Sequence, residues 1–194
     1  MSKKNPKIKV KEWLDRAQKE VSGNWNAMCL STVDKDNYPD SRMVLFKQFS
    51  NEDNIIFFTN YTSKKGKDIE NNEAVSAVFF WDSLDLQLRV RGTVKLTSRE
   101  VSKKYFNSRP FESRVAAILS DQSNVINSYD ELHDQYEKLN SELAEKDLSC
   151  PEHWGGVEII PFRIEFWHGH KNRLHRREVY ELLNGEWEEC LLSP

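Results

Sequence analysis

The sequence has no closely spaced cysteines: Cys29, Cys150 and Cys190 stand far apart and form no CxxC pair. This excludes a disulfide framework and a zinc knuckle, and it suits a reducing compartment. Long apolar runs are missing too. Nothing approaches the roughly 20 residues that span a bilayer, and the opening Met1-Ser-Lys-Lys-Asn-Pro-Lys7 carries no apolar stretch of a secretion signal. A soluble, cytoplasmic protein is the expectation. Basic excess is also absent: the formal charge is −3 and the pI about 6.0, which argues against a general nucleic-acid binder. There is no GxGxxG, Walker, GxSxG or HExxH motif, so a Rossmann dehydrogenase, a P-loop enzyme and a simple hydrolase find no support. The chain holds no internal repeats and no low-complexity segments.

What is present is a chain of 194 residues, 38% hydrophobic and 30% charged, which is enough for one packed domain. Residues 8–21 place Ile8, Val10, Trp13, Leu14, Ala17 and Val21 at near-helical spacing. The period then changes. Short runs at Ala27–Val33, 41–49, 55–59, Ala74–Trp81 and Leu86–Leu96 are rich in Val, Phe, Leu and Ile. Their short, turn-like connections read as antiparallel strands of a barrel or sandwich. Three helices follow. The capping-box pattern Thr97-Ser-Arg-Glu100 opens one to about Ser108, and Pro110 sits in the first turn of a second that runs to about Leu119. Ser128-Tyr-Asp-Glu131 opens a polar third to about Lys146. Strand returns at 156–167, and 178–183 pairs with Glu186–Leu192 in a hairpin about Asn184-Gly185. The fold class is α+β: one domain over 1–194, an antiparallel barrel with an N-terminal helical extension over 1–24 and a helical insertion over 97–147.

The chemistry is sought in cations embedded in strand-like or aromatic sequence. Arg42 and Lys47 lie five apart, so on one strand they would face opposite ways. Ser63-Lys-Lys-Gly-Lys67 precedes a short helix and could hold a phosphate, although a solvated charge cluster is the plainer reading. Tyr105 and Arg109, four apart, would share a helix face, with Ser113 in the first turn of the next helix. A hydroxyl, a guanidinium and a helix N-terminus would suit a phosphate dianion. Taken singly, Tyr105 reads as core, Arg109 as surface, and Gln122-Ser123 as a loop cap. The segment from Ile164 to Arg177 is the densest, with Trp167, His168, His170 and His175 among its basic residues. Its histidine spacing matches no zinc pattern, so no metal is expected, and an anionic aromatic ligand suits the mixture better.

The ordered set Arg42-Met-Val-Leu-Phe-Lys47, Phe58-Thr-Asn60, Ser63-Lys-Lys65, Tyr105-Phe-Asn-Ser-Arg-Pro110, Gln122-Ser123, Trp154-Gly-Gly156, Ile164-Glu-Phe-Trp167 and Arg173-Leu-His175 resembles the pyridoxamine 5′-phosphate oxidase family over nearly the whole chain. The resemblance implies an FMN-binding split barrel working as a homodimer. It further implies an oxidase that converts pyridoxamine phosphate or pyridoxine phosphate to pyridoxal phosphate, with oxygen as acceptor and peroxide released. By similarity, Arg42 and Lys65 bind the FMN phosphate, with Lys64 and Ser123 close by. Met43, Val44, Leu45, Phe46, Lys47, Phe58 and Thr59 line the flavin, and Gln87, Gln122, Trp167 and Arg177 complete the site, some from a second subunit. Lys47, Tyr105, Arg109 and Ser113 match residues that hold the substrate phosphate. Arg173 and His175 match the pair that flanks the substrate ring, where catalysis is expected. Three positions depart from the family pattern: Lys64 stands for an arginine, Leu86 for a basic residue, and Arg176 for an acidic one. A non-catalytic FMN or pyridoxal phosphate carrier of the same fold, and a nicotinamide-using reductase, are the rival readings.

Overall fold

A computed structural model describes residues 5–144 and 146–194. Helix α1, Pro6–Glu20, starts where the Asn5 side chain accepts a hydrogen bond from the Lys7 N–H, and Pro6 takes a position whose N–H has no helical partner. Its apolar stripe, Val10, Trp13, Leu14 and Ala17, is buried.

Among the described residues, nine strands then form one sheet in which every pairing is antiparallel. They are β1 Ala27–Val33, β2 Pro39–Leu45, β3 Gln48–Phe49, β4 Ile55–Asn60, β5 Ala74–Trp81, β6 Leu86–Leu96, β7 Trp154–His168, β8 Arg176–Leu183 and β9 Glu186–Leu192. The main path runs β2-β1-β5-β6-β7-β4-β3. Its two end strands, β2 and β3, are separated in the chain by Phe46 and Lys47 alone, so the sheet must curl until its ends meet. The expected single strand over 41–49 therefore breaks in two. The Phe46 N–H donates to Asn26 O on the β1 side, the Lys47 N–H donates to Ile56 O on β4, and the chain crosses from one pairing to the other.

The long strand β7 pairs β6 along one edge, and along the other it pairs first β4 and then β8. The fork falls at a bulge where Arg91 faces Arg163 while Gly92 faces Pro161. A bulge is where a sheet tolerates proline, and a side chain on Gly92 would collide with the Ile160 carbonyl. The interior holds Met28, Leu30, Phe57, Phe79, Leu88, Ile159 and Phe166, closed at one side by α1. The hairpin β8–β9 turns at Asn184 and Gly185, both at positive φ.

Helix α2, Lys64–Asn71, lies between β4 and β5, while α3 Arg99–Asn107, α4 Phe111–Leu119 and α5 Tyr129–Leu143 lie between β6 and β7. A second core of Phe106, Val115, Ala117, Leu148, Cys150 and Trp154 sits under them. Several boundaries differ from expectation. The lysines of 63–67 do not precede α2 but form its first turn, because Ser63 is the cap. The cap of α3 is Ser98, not Thr97, whose hydroxyl turns to Ser102. Pro110 caps α4 from just outside it, and α5 ends at Leu143, short of Lys146. Among the described residues no helix is long and apolar enough to cross a membrane.

Candidate active site

A cavity of about 430 Å³ opens beside the β2–β3 break. Its wall takes Met43, Val44 and Leu45 from β2, Phe58 and Thr59 from β4, Lys65 from α2, and Tyr105 and Ser113 from the helices. Lys47, Arg109, Pro110, Gln122 and Trp154 complete it. Three of these residues are cationic and none is acidic. Lys65 Nζ meets only neutral oxygens, at 2.6 Å from Gln122 Oε1, 3.1 Å from Ser63 Oγ and 3.2 Å from Thr59 Oγ1. Burial, then the charge of Arg42, pulls its pKa down to about 8. Lys47 is lowered by desolvation at the wall and by Arg109, and Arg109 is lowered by its own burial. One guanidinium nitrogen of Arg109 is buried without a partner. Such a wall suits an anion.

Lys47 reaches the cavity because strand alternation stops at Leu45, not because of its five-residue distance from Arg42. Arg109 likewise lies beyond the end of α3, where its N–H donates to Phe106 O. A shared helix face does not bring Tyr105 and Arg109 together; the turn into α4 does. Phe46 points the other way, buried against Trp25 and Phe49. Arg42 lies behind the cavity, hydrogen-bonded to Thr32 Oγ1 at 2.7 Å and paired with Asp40 at 2.9 Å and Asp68 at 3.6 Å. Lys64 is turned to Asp34, Asp40 and Asp68, which raises its pKa through the Asp68 hydrogen bond. Ser123, at φ 75°, lines a neighbouring hollow with Lys64.

Gln87, Trp167 and Arg177 lie side by side across β6, β7 and β8 in direct register, and none of them lines the cavity. Leu86, beside them, is buried. The Trp167 ring rests 4.5 Å from that of His175. His175 Nδ1 accepts the His170 N–H at 3.2 Å, which leaves the proton of the neutral ring on Nε2. Arg173 is exposed, and it and Asn172 both adopt left-handed φ, 61° and 63°. Strand alternation sends Arg176 to the face opposite His175 and Arg177, where it pairs with Glu178 at 2.8 Å. His168 packs edge-on against Trp13 at 4.9 Å, and His170 Nδ1 lies 2.8 Å from Lys171 O, so the three histidines share no centre.

Two residues lay within motifs of the resemblance but were given no role from sequence. Trp154 lines the cavity, and its position before two glycines was the available signal. Glu165, 1% exposed, receives Arg177 Nε at 2.8 Å, Arg89 at 3.2 Å and Arg163 at 3.4 Å. Burial pushes the Glu165 carboxyl up, but the Arg177 hydrogen bond and the surrounding guanidiniums bring it below its ordinary value. A different hollow, of about 450 Å³ between Tyr61, Ile69, Val94 and Leu96, is rimmed by both signs of charge and has no comparable imbalance.

The chain is similar to known proteins over nearly its whole length. Residues 14–141 match the family described as pyridoxamine 5′-phosphate oxidase, and 154–194 match the pyridoxine 5′-phosphate oxidase C-terminal dimerisation region. The chain is 41% identical over 191 residues to a pyridoxine/pyridoxamine 5′-phosphate oxidase of Leptospira interrogans, covering 98% of this chain and 89% of that protein. It is 42% identical, with the same coverage, to one of Gloeothece citriformis. Among solved structures, PhzG from Burkholderia lata, in complex with tetrahydrophenazine-1-carboxylic acid, superposes with a TM-score of 0.92 at 25% identity. That match covers 98% of this chain and 93% of PhzG. A pyridoxamine 5′-phosphate oxidase-related, FMN-binding protein of Nostoc punctiforme shares the fold at a TM-score of 0.79 and 15% identity, covering 100% of this chain and 99% of that one.

Proposed function

The chain belongs to the pyridoxamine 5′-phosphate oxidase family, and on that premise we propose an FMN-dependent oxidase acting on pyridoxamine or pyridoxine phosphate. The product is pyridoxal phosphate and the acceptor is oxygen. The observation that carries this reading is the cavity with three cations and no carboxylate, because two phosphate groups are what such a wall lacks. FMN fits there: Lys65 has neutral hydrogen-bond partners and a pKa depressed by burial and by Arg42, which a phosphate dianion would relieve.

In this reading Lys65, Thr59 and Gln122 hold the cofactor phosphate. Lys47, Tyr105, Arg109 and Ser113 hold that of the substrate. Gln87, Trp167 and Arg177 are outside the cavity of their own chain, so we assign them to the site of a second copy in a homodimer. Arg173 and His175 arrive with them and flank the substrate ring. Arg173 places positive charge against electron density leaving that ring, and His175 donates its Nε2–H to a substrate oxygen. When bound, FMN would supply the two-electron acceptor for the hydride of the substrate C4′ carbon, with oxygen as the final acceptor. The protein's share is to hold the carbon in place, which makes the transfer effectively unimolecular. The alcohol substrate yields the aldehyde directly; the amine yields an imine whose hydrolysis releases ammonia.

The test is anaerobic mixing of the yellow holoprotein with saturating pyridoxamine phosphate. The flavin bleaches, and Arg173→Ala slows bleaching at least about tenfold, or about 1.4 kcal/mol, with FMN content unchanged. A wild-type protein that binds FMN and does not bleach is a carrier; bleaching by reduced nicotinamide instead makes it a reductase.

A further inference from the structure

Arg109 lines the cavity with one guanidinium nitrogen buried and unpartnered, and among the described residues no carboxylate holds the side chain there. What it does meet is a ring: its guanidinium carbon lies 4.8 Å from the centroid of Trp154. Trp154 is itself fixed from several sides. Its carbonyl accepts Arg99 NH1 at 2.8 Å, while Arg99 NH2 holds Cys150 O and Pro151 O at 2.9 and 3.1 Å and so clamps the turn leading into β7. The indole lies nearly parallel to Phe58 and Tyr105, with interplanar angles of 16° and 6°, and Phe106 meets it edge-on at 5.5 Å. The two glycines that follow permit this packing. A side chain on Gly155 would strike the Tyr61 hydroxyl and Ser102, and one on Gly156 would strike Thr97.

We propose that Trp154 is a positioning residue that sets specificity for phosphorylated substrates, by holding the Arg109 guanidinium through its π face. The physical point is competition. A carboxylate would order Arg109 equally well, but it would occupy the N–H groups and cancel the charge that a phosphate needs. An aromatic face attracts the cation without using any N–H donor, so ordering and availability coexist. The near-parallel Tyr105 ring joins both ends of the cradle to one aromatic platform. The inference rests on reading this cradle as the substrate-phosphate site.

The test compares wild type, Arg109→Ala, Trp154→Leu and Trp154→Phe, each as FMN holoprotein. It measures competition by inorganic phosphate and the KM and kcat for pyridoxamine phosphate. Trp154→Leu weakens phosphate inhibition and raises KM by about tenfold, the loss falling on KM more than on kcat, and Trp154→Phe recovers most of it. FMN content stays at the wild-type level. Arg109→Ala with Trp154→Leu is no worse than Arg109→Ala alone, because the ring acts only through the guanidinium. Unchanged phosphate competition in Trp154→Leu overturns the inference. If the leucine protein does not fold, phosphate inhibition in Trp154→Phe weaker by about threefold supports it and equality with wild type overturns it. A wild-type protein indifferent to phosphate, with Arg109→Ala also without effect, refutes the underlying site instead.

Discussion

Arg89, Arg163 and Arg177 surround one buried carboxylate; Lys47, Lys65 and Arg109 surround none. Apart from the exposed Lys47, both groups are half-buried cations on or beside the same sheet, so sequence composition treats them alike. Their electrostatics are opposite. Around Glu165, each guanidinium recovers part of its lost hydration through an ion pair, and the cluster ties β6, β7 and β8 together. In the cavity Lys47 and Arg109 repel each other, and Lys65 offsets its burial only through three neutral hydrogen-bond partners and a lesser attraction to Asp68. The first arrangement stabilises the fold. The second leaves a cationic wall without an ion pair among the described residues, the arrangement that the proposed phosphate binding calls for.

The largest test of that contrast removes the shared carboxylate. Glu165→Gln uncovers three guanidiniums and lowers the stability of the FMN-free protein by about 3 kcal/mol in urea denaturation. This is the low end of the cost of stranding buried charge, since the guanidiniums reach solvent. A loss below 1 kcal/mol would erase the distinction.

The next test is the pH dependence of FMN binding. Lys65 titrates at about 8 in the free protein, below the value near 10.4 of an unfolded chain. Bound phosphate restores its charge. Affinity is therefore level from pH 7 to just under 8, and above that it falls with a slope approaching tenfold per unit, as binding takes up a proton. Stability of the FMN-free protein moves oppositely. The unfolded chain keeps its proton to about pH 10.4, so the cost of the buried charge is complete below pH 8 and is relieved as pH rises from there. Lys65→Met removes both effects. At pH 7 it stabilises the FMN-free protein by about 1 kcal/mol, after allowing for the solvent that reaches this partly exposed group, while FMN binding weakens. A destabilised Lys65→Met protein would place Lys65 with the Glu165 cluster.

The smallest expected effect belongs to Lys64, which is exposed and shared among Asp34, Asp40 and Asp68. Lys64→Ala changes FMN affinity by less than about threefold, against the much larger loss in Lys65→Met. Equal losses in a fluorescence titration would mean that Lys64 leaves its carboxylates for the ligand.

Much of this protein was legible in its residues. The amphipathic spacing of Val10, Trp13 and Leu14, the runs Ala27–Val33, Ala74–Trp81 and Leu86–Leu96, and the Asn184-Gly185 turn are local signals, written in patterns of period 3.6, period 2 and turn chemistry. The cations of the candidate site stood out as charge in apolar or aromatic sequence, although their roles came only from the family resemblance. What those signals could not carry was partnership. Lys64 and Lys65 are neighbours with the same side chain, and the first turn of α2 points one at three aspartates and the other at a cavity without any. The break at Phe46-Lys47 arises because the curled sheet brings β2 and β3 together, a closure no stretch of nine residues encodes. Trp154 reaches Arg109 across 45 residues of chain only because β7 and α3 pack over two glycines. Sequence by itself determined which residues are charged, aromatic or strand-forming, since those are properties of single side chains and their near neighbours. Only the tertiary structure decided which charges are neutralised and which are left waiting, because an electrostatic environment is set by whatever the fold brings within a few ångströms.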